Sequence, residues 1–211
     1  MYNKPIAKSV KNLQQLYTVL IGLSLAAGIQ QIINFSGTKF PIYFDRLPLF
    51  FVYLSLVIPI YHGAMRHLDV AYIENVGKHL ALIFDFIILF IEGCFFLLLA
   101  GLVPYTYKFF YVLVTLLGID VFWACIAYFG FATDGIDKKA SSKWGLINFF
   151  AVCLLLGSYL YCDSLDSNIK PVEYYLKQFM LIIIIIRSVL DYLVCWPMYY
   201  PDLEKNTNDK R

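Results

Sequence analysis

Six apolar blocks, each about as long as a bilayer is thick, constrain this chain more than any other feature. An α-helix rises 1.5 Å per residue, so about 20 apolar residues cross the roughly 30 Å hydrocarbon core. We therefore predict an all-α integral membrane protein, built as a bundle of six transmembrane helices. The predicted spans are Leu16–Phe35, Leu47–Met65, His79–Val103, Phe109–Ala132, Trp144–Cys162 and Leu176–Trp196.

The composition agrees with this class and leaves little of the chain for anything else. Hydrophobic residues make up 60% and charged residues 15% of the 211 positions, whereas soluble domains are about 45–50% apolar and 25% charged. We expect a single membrane domain over residues 1–200 and a short polar cytoplasmic tail over residues 201–211. One alternative stays open, because a lysine-rich start followed by an apolar run with small residues near Ala26 is also typical of a cleaved secretory signal. Cleavage would leave five spans.

The placement of lysine and arginine predicts which side of the membrane each loop faces. Cytoplasmic loops carry the excess of these residues. Eleven fall on one side of the predicted spans and five on the other, so we expect both termini in the cytoplasm and the protein in a bacterial-type inner membrane. The eleven are Lys4, Lys8, Lys11, Arg66, Lys78, Lys138, Lys139, Lys143, Lys205, Lys210 and Arg211, and the five are Lys39, Arg46, Lys108, Lys170 and Lys177. The aromatic rings expected at the inner interface are Trp144, Trp196, Tyr199 and Tyr200.

Charged residues interrupt three of the apolar blocks. Asp85 and Glu92 lie in the third block, Asp120 in the fourth, and Arg187 and Asp191 in the sixth. A charge that faces acyl chains costs a few kcal/mol or more, so these side chains should turn toward protein or water. We predict that they form a polar core or ion pathway, with Glu92, Asp120 and Arg187 near the middle of the membrane.

The balance of charge in this predicted core favours a functional role. Four acids face one firmly embedded base, Arg187, which can pair with Asp191 at i+4, while Arg66 can pair with Asp85. The surplus acids must be protonated, hydrated or lining a pathway, because an unpaired buried carboxylate takes up a proton. Proton relays and cation pathways use such groups. The alternative, in which the charges pair and only lock the bundle together, stays open.

The densest polar stretch follows the second block and is predicted to lie at the cytoplasmic end. We expect it to act as a gate, as a docking surface for a soluble partner, or simply as a solvated connector. His62 and His67 are five residues apart and diverge by about 140° on a straight helix, which disfavours a shared metal ion. The residues assigned to this surface are His62, Arg66, His67, Asp69, Glu74 and Lys78.

The sequence contains no motif for catalysis or cofactor binding. There is no Gly-x-Ser-x-Gly or His-Glu-x-x-His sequence and no glycine-rich phosphate-binding loop. The five cysteines form no Cys-x-x-Cys pair, so a disulfide framework or zinc site is not expected. We therefore expect no metal, no cofactor and no enzymatic activity.

These features predict a small membrane protein that forms an oligomeric ion-conducting or ion-responsive bundle. It would act as an effector or sensor with a cytoplasmic partner, as in bacterial defence or toxin–immunity systems. The alternative is a transporter or the membrane subunit of an export pump, in which embedded acids couple proton movement to substrate movement. An enzyme that uses His62, His67 and Asp69 as acid–base residues fits less well. The expected partners are the lipid bilayer, further copies of the chain and a soluble protein, but no nucleic acid.

Overall fold

The protein is all-helical over the residues that the computed structural model describes, which are 4–33, 41–74, 79–131, 136–164 and 172–200. Within these ranges the only strand-like pairing is a single bridge between Ile33 and Ile42. The helices are α1 Lys4–Ile32, α2 Leu47–Leu68, α3 His79–Gly101, α4 Thr106–Ile126, α5 Ile136–Ser164, α6 Val172–Val194 and the short α7 Trp196–Tyr199. A 3-10 turn precedes α2, and the π-helical turns Asp69–Glu74 and Ala127–Phe131 extend α2 and α4.

Five of the helical segments are long and apolar enough to cross a membrane. They are Pro5–Ile32, Phe44–Tyr72, Ala81–Gly101, Thr106–Phe129 and Ser141–Ser164. The prediction of a helical chain with several membrane-spanning segments is confirmed to this extent, and such segments suggest a membrane location. α6 has a similar length but carries Glu173, Lys177, Arg187 and Asp191. A sixth crossing therefore depends on where α6 places these charges.

The six long helices form a closed ring. Going round it, the order is α1, α2, α6, α5, α4 and α3, and α3 packs back on α1. Contacts near both ends of each pair make α1 antiparallel to α2, α4 to α5, and α5 to α6. The packing of α1 on α3, of α4 on α5, and of α6 on α2 and α5 is extensive, whereas the seams between α1 and α2 and between α3 and α4 are smaller.

The ring is apolar on its outer surface as well as in its interior. Phe122, Leu160 and Leu193 are each more than 60% exposed on the outside of α4, α5 and α6. A soluble protein rarely exposes apolar surface on this scale, whereas side chains that face lipid have to be apolar. α6 follows the same rule, because Arg187 and Asp191 are buried inside the ring while three of its isoleucines point outward.

A proline inside α2 leaves a backbone carbonyl without its usual donor, and a hydroxyl group of α6 donates to that carbonyl instead. Pro59 has no N–H to donate to the carbonyl of Ser55, four residues earlier. The hydroxyl of Ser188 donates to Ser55 O, although the same hydroxyl also lies 2.7 Å from Ile184 O in its own helix. A carbonyl without a partner is costly where water is excluded. This bond therefore joins α2 to α6 at the point where the proline interrupts α2.

Several helices extend further than the apolar blocks predict. α1 begins at Lys4 rather than near Leu16, and α5 begins at Ile136 rather than near Trp144. The predicted connector after the second block instead continues α2 as a π-helical turn. A helix satisfies its own backbone hydrogen bonds in water as well as in lipid, so the end of an apolar run marks the bilayer and not the end of the helix. The predicted tail, residues 201–211, lies outside the described residues.

Ser188→Ala should lower the free energy of unfolding by about 1–2 kcal/mol, because the Ser55 carbonyl then loses its side-chain donor. Pro59→Ala restores an N–H at position 59, so Ser188→Ala should cost less in that background. Denaturant titration of the purified protein in mixed micelles measures both costs. If Ser188→Ala lowers the free energy of unfolding equally in the wild type and in Pro59→Ala, the Ser188 hydroxyl does not replace the backbone N–H that Pro59 lacks.

Candidate functional site

An ion pair within α6 lies at the centre of the polar interior. Arg187 Nη1 donates to Asp191 Oδ2 at 3.2 Å, and Arg187 Nε donates to Asn148 Oδ1 of α5 at 2.8 Å. Tyr199 of α7 donates from Oη to Asp191 Oδ1 at 2.9 Å. Burial and the nearby Asp191 raise the pKa of Tyr199 well above its usual value, so this hydroxyl keeps its proton and remains a donor. Both charges are therefore paired and hydrogen-bonded, as buried charges need to be.

A pair of carboxyl groups lies beside the ion pair. Glu92 of α3 and Asp120 of α4 are 5% and 8% exposed and line the same cavity. Glu92 Oε2 accepts from the Tyr17 hydroxyl of α1 at 3.0 Å, and Asp120 Oδ2 lies 3.4 Å from Asn148 Nδ2. Two ionised carboxylates in a buried position repel each other, and one shared proton removes that repulsion. The pair is therefore suited to binding and releasing a proton.

A third polar group lies where α2 ends and α3 begins. Asp85 of α3 is 3% exposed. Its Oδ2 accepts a hydrogen bond from the Tyr72 hydroxyl at 2.6 Å and lies 3.2 Å from His67 Nε2. A protonated His67 would form an ion pair with Asp85 here. This group holds the π-helical turn after α2 against the first turns of α3.

One cavity of about 40 Å³ links the carboxyl pair to the Asp85 group. Its polar lining residues are His67, Asp85, Glu92, Asp120, Trp144, Asn148 and Arg187. Among the described residues, three buried side-chain atoms lack a hydrogen-bond partner. They are Asp120 Oδ1, Trp144 Nε1 and Arg187 Nη2, and all three belong to residues that line this cavity.

Trp144 reaches the cavity because the facing position on α2 has no side chain. A Cβ atom at Gly63 would overlap the six-membered ring of the Trp144 indole. The glycine thus allows a large ring from α5 to pack against the α2 backbone. The sequence predicts Trp144 at the inner membrane interface, and the structure shows that this residue also lines the cavity.

Apolar side chains fill the bundle on the other side of the carboxyl pair. Phe96 and Leu99 follow Glu92 along α3, and all three side chains are buried. On α4, Leu113 and Leu117 precede Asp120 and are fully buried as well. None of these four apolar residues lines the cavity. The polar interior therefore continues toward the end of α2 and is closed toward the turn between α3 and α4.

Aromatic rings surround His62 near the end of α2. Its ring stacks on that of Tyr199 with the centroids 4.7 Å apart, and the Tyr192 ring lies 5.8 Å away. Arg66, one turn further on, donates from Nε to Met198 O at 2.9 Å. These contacts hold α7 across the end of α2. Tyr199, another ring predicted at the membrane interface, instead packs inside the protein.

The structure brings the predicted polar core together. Four of its five residues line the cavity, and the fifth is bonded to Arg187; these are Asp85, Glu92, Asp120, Arg187 and Asp191. The alternative pairing of Arg187 with Asp191 at i and i+4 is present. For Asp85, where Arg66 was the expected partner, the bonds come from His67 and Tyr72.

The predicted cytoplasmic surface is partly built into the bundle. His67 contacts Asp85, and Asp69 Oδ1 accepts a hydrogen bond from Gln14 Nε2 of α1 at 3.0 Å. Lys78 and the side chain of Glu74 lie outside the described residues. The remaining members of this surface, His62 and Arg66, hold α7 as described above.

Sequence reasoning missed four aromatic residues of the site. They are Tyr17, Tyr72, Trp144 and Tyr199. A tyrosine or tryptophan side chain is mostly apolar but has one polar atom, so it fits an apolar block, a membrane interface or a polar core equally well. The sequence alone therefore does not show that such a residue belongs to a polar core. The charged residues gave a signal because they have no low-energy position in hydrocarbon.

Comparison with protein-family models, with curated proteins and with solved structures finds no match to this chain. Within the described ranges, no three histidine, cysteine, aspartate or glutamate side chains come together in a metal-binding group. The geometry of the polar interior is therefore the basis on which function can be argued.

Arg187→Met should lower the free energy of unfolding by about 3–5 kcal/mol, because Asp191 is then buried without its cation. Arg187→Met combined with Asp191→Leu should be more stable than Arg187→Met alone, since the double variant buries no unpaired charge from this pair. Denaturant titration in micelles compares the two. The two side chains are not coupled if the loss of unfolding free energy in the double variant equals the sum of the losses in Arg187→Met and Asp191→Leu.

Proposed function

We propose that the chain crosses the inner membrane six times, with both termini in the cytoplasm. The support for the sixth crossing is the distribution of charge on α6. Its ionic side chains at Arg187 and Asp191 are buried, while the exposed side chains in the turns just before Arg187 are those of three isoleucines. The support for the orientation is the excess of lysine and arginine in the loops that would then be cytoplasmic. α1 and α7 both pack beside the last turns of α2, as termini on one side require.

Reporter fusions test the crossing number. Fluorescent protein fused after Arg211 should be bright and alkaline phosphatase at the same position inactive, because six crossings return the chain to the cytoplasm. Fusions to a chain truncated after Ser164 provide the matched control and should give the opposite result, since five crossings end outside. An active phosphatase after Arg211 would contradict the sixth crossing.

We propose further that the protein is ion-responsive, and that the ion it responds to is the proton. The single observation that carries this is the carboxyl pair. Glu92 of α3 and Asp120 of α4 are both buried and line the same cavity, while Arg187, which also lines it, is already bonded to Asp191. A carboxyl pair of this kind changes the charge of the interior by one unit when it gains or loses a proton. Proton relays use embedded carboxyl groups in this way.

The same geometry argues against an open pore within one copy of the chain. Buried apolar side chains close the cavity toward the turn between α3 and α4, so the described residues of one copy form no continuous polar path through the bundle. Conduction would need a movement of the ring or a path between several copies. A homo-oligomer remains part of the proposal for this reason.

A transporter is the second candidate, and one observation favours it. The polar interior continues toward one end of the bundle only, as expected of a carrier that binds from one side at a time. Proton binding by the carboxyl pair would then drive substrate movement. The two candidates differ in whether a pH gradient alone produces a response or a cosubstrate is also required. A soluble partner at this end of the bundle is compatible with either.

Glu92→Gln and Asp120→Asn should each abolish the response of the protein to a pH gradient, because an amide neither binds nor releases the proton. The response can be measured as dye-reported proton flux, or as current, with the full chain reconstituted in vesicles and planar bilayers. Asp163→Asn, at an exposed position near the end of α5, is the matched control and should leave the response unchanged. Wild-type responses in both core variants would remove the basis for this proposal.

A further inference from the structure

Three residues that line the cavity each have a buried polar side-chain atom without a hydrogen-bond partner, and these atoms differ in their chemistry. Trp144 Nε1 and Arg187 Nη2 are hydrogen-bond donors, whereas Asp120 Oδ1 is an acceptor unless it carries a proton. Each is buried, and each belongs to a different helix. An unsatisfied buried donor or acceptor costs about 1–3 kcal/mol, so a native protein rarely leaves three of them around one cavity without an occupant.

The mixture of donors and acceptor restricts what the occupant can be. An anion would satisfy the two donors but would meet the carboxyl groups of Asp85, Glu92 and Asp120. A metal cation would satisfy Asp120 but would face the guanidinium of Arg187. Water both donates and accepts, and a cavity needs about 10–15 Å³ for each water molecule. The cavity of about 40 Å³ has room for two or three.

We propose that this cavity is a binding site for a cluster of two or three water molecules that bridge Asp120, Trp144 and Arg187 and continue to Asp85 and His67. The cluster deepens the proposed function, because it supplies the hydrogen-bonded path by which the carboxyl pair exchanges protons. In each step one proton moves along an existing hydrogen bond from a donor oxygen or nitrogen to the next acceptor, and no other bond is broken. The charge carried by the proton passes from His67 to the pair.

The titratable and charged side chains around this path come from five helices. α1 contributes Tyr17, α2 contributes His67, α3 contributes Asp85 and Glu92, α4 contributes Asp120, and α6 contributes Arg187 and Asp191. α5 contributes the neutral side chains of Trp144 and Asn148. Arg187 is held by Asp191, so the groups left to exchange protons with the cluster are His67 and the carboxyl groups of α3 and α4.

The indole N–H groups offer a direct test, because the chain has only three tryptophans. In full-length protein labelled with ¹⁵N-tryptophan and held in nanodiscs, the Trp144 indole proton should show a magnetisation-transfer cross-peak to water. Trp196 is 46% exposed and serves as the positive control. Variants with phenylalanine in place of each tryptophan assign the three signals.

A cavity-filling variant tests whether the water sits in the proposed place. Ala64 lines the cavity and is 6% exposed, so Ala64→Leu should displace the cluster and remove the Trp144 cross-peak. Ala151→Leu, equally buried on α5 but away from the cavity, is the matched control and should retain the cross-peak. If the leucine at position 64 prevents folding, Trp144→Phe removes the N–H together with the five-membered ring of the indole. Trp123→Phe on the same cavity removes the same atoms and is its control.

The outcomes separate this inference from the proposed function. A Trp144 signal without a water cross-peak, next to a normal Trp196 control, overturns the water cluster whatever the vesicle assays give. A cross-peak that persists in Ala64→Leu overturns it as well. A cross-peak that is lost in Ala64→Leu, together with a lost response to pH in that variant or in Trp144→Phe, supports both the cluster and its role in proton exchange. A lost cross-peak with unchanged responses in Glu92→Gln and Asp120→Asn supports the water site and contradicts the proton-responsive function.

Discussion

The free energy of moving a charge out of water determines how this bundle is arranged. Hydrocarbon offers an ionic side chain neither hydration nor a counter-ion, so each such side chain must face protein or enclosed water. Here this constraint fixes the rotation of α3, α4 and α6 about their axes, because each carries a charged residue in its apolar stretch. Once those three helices face inward with their charges, their remaining surfaces are set toward lipid or toward the neighbouring helix.

The same constraint explains why the buried charged residues are hydrogen-bonded to residues of neighbouring helices. An ion pair also needs partners for its unused donors and acceptors, and Asn148 accepts from Arg187 Nε while Tyr199 donates to Asp191. The carboxyl pair takes a donor from Tyr17 on α1. Each bond crosses from one helix to another, so the residues that stabilise the charges also hold the ring together. The residues on which the proposed function rests therefore also help to hold the helices together.

The parts of this arrangement that follow from free energies of transfer could be predicted from the sequence. The long apolar blocks predicted the helices, and Asp85 and Glu92, seven residues apart, were expected on one face because seven residues make about two helical turns. Which helix supplies the partner of each charge depends on the packing of the ring, and no local pattern encodes that. Tyr17 and Tyr199 are separated from their acceptors by 75 and 8 residues. The bond between Ser188 and Ser55 shows the same limit, since the proline is visible in the sequence but its replacement donor is not.

The carboxyl pair lies across one of the two smaller seams of the ring, between α3 and α4. When both carboxyl groups are ionised, their repulsion pushes apart two helices that have little other contact to resist it. When a proton is shared, the same two groups draw the helices together. Under the proposed response to protons, a change in the charge of the interior would act here against less packing than between α4 and α5 or between α1 and α3.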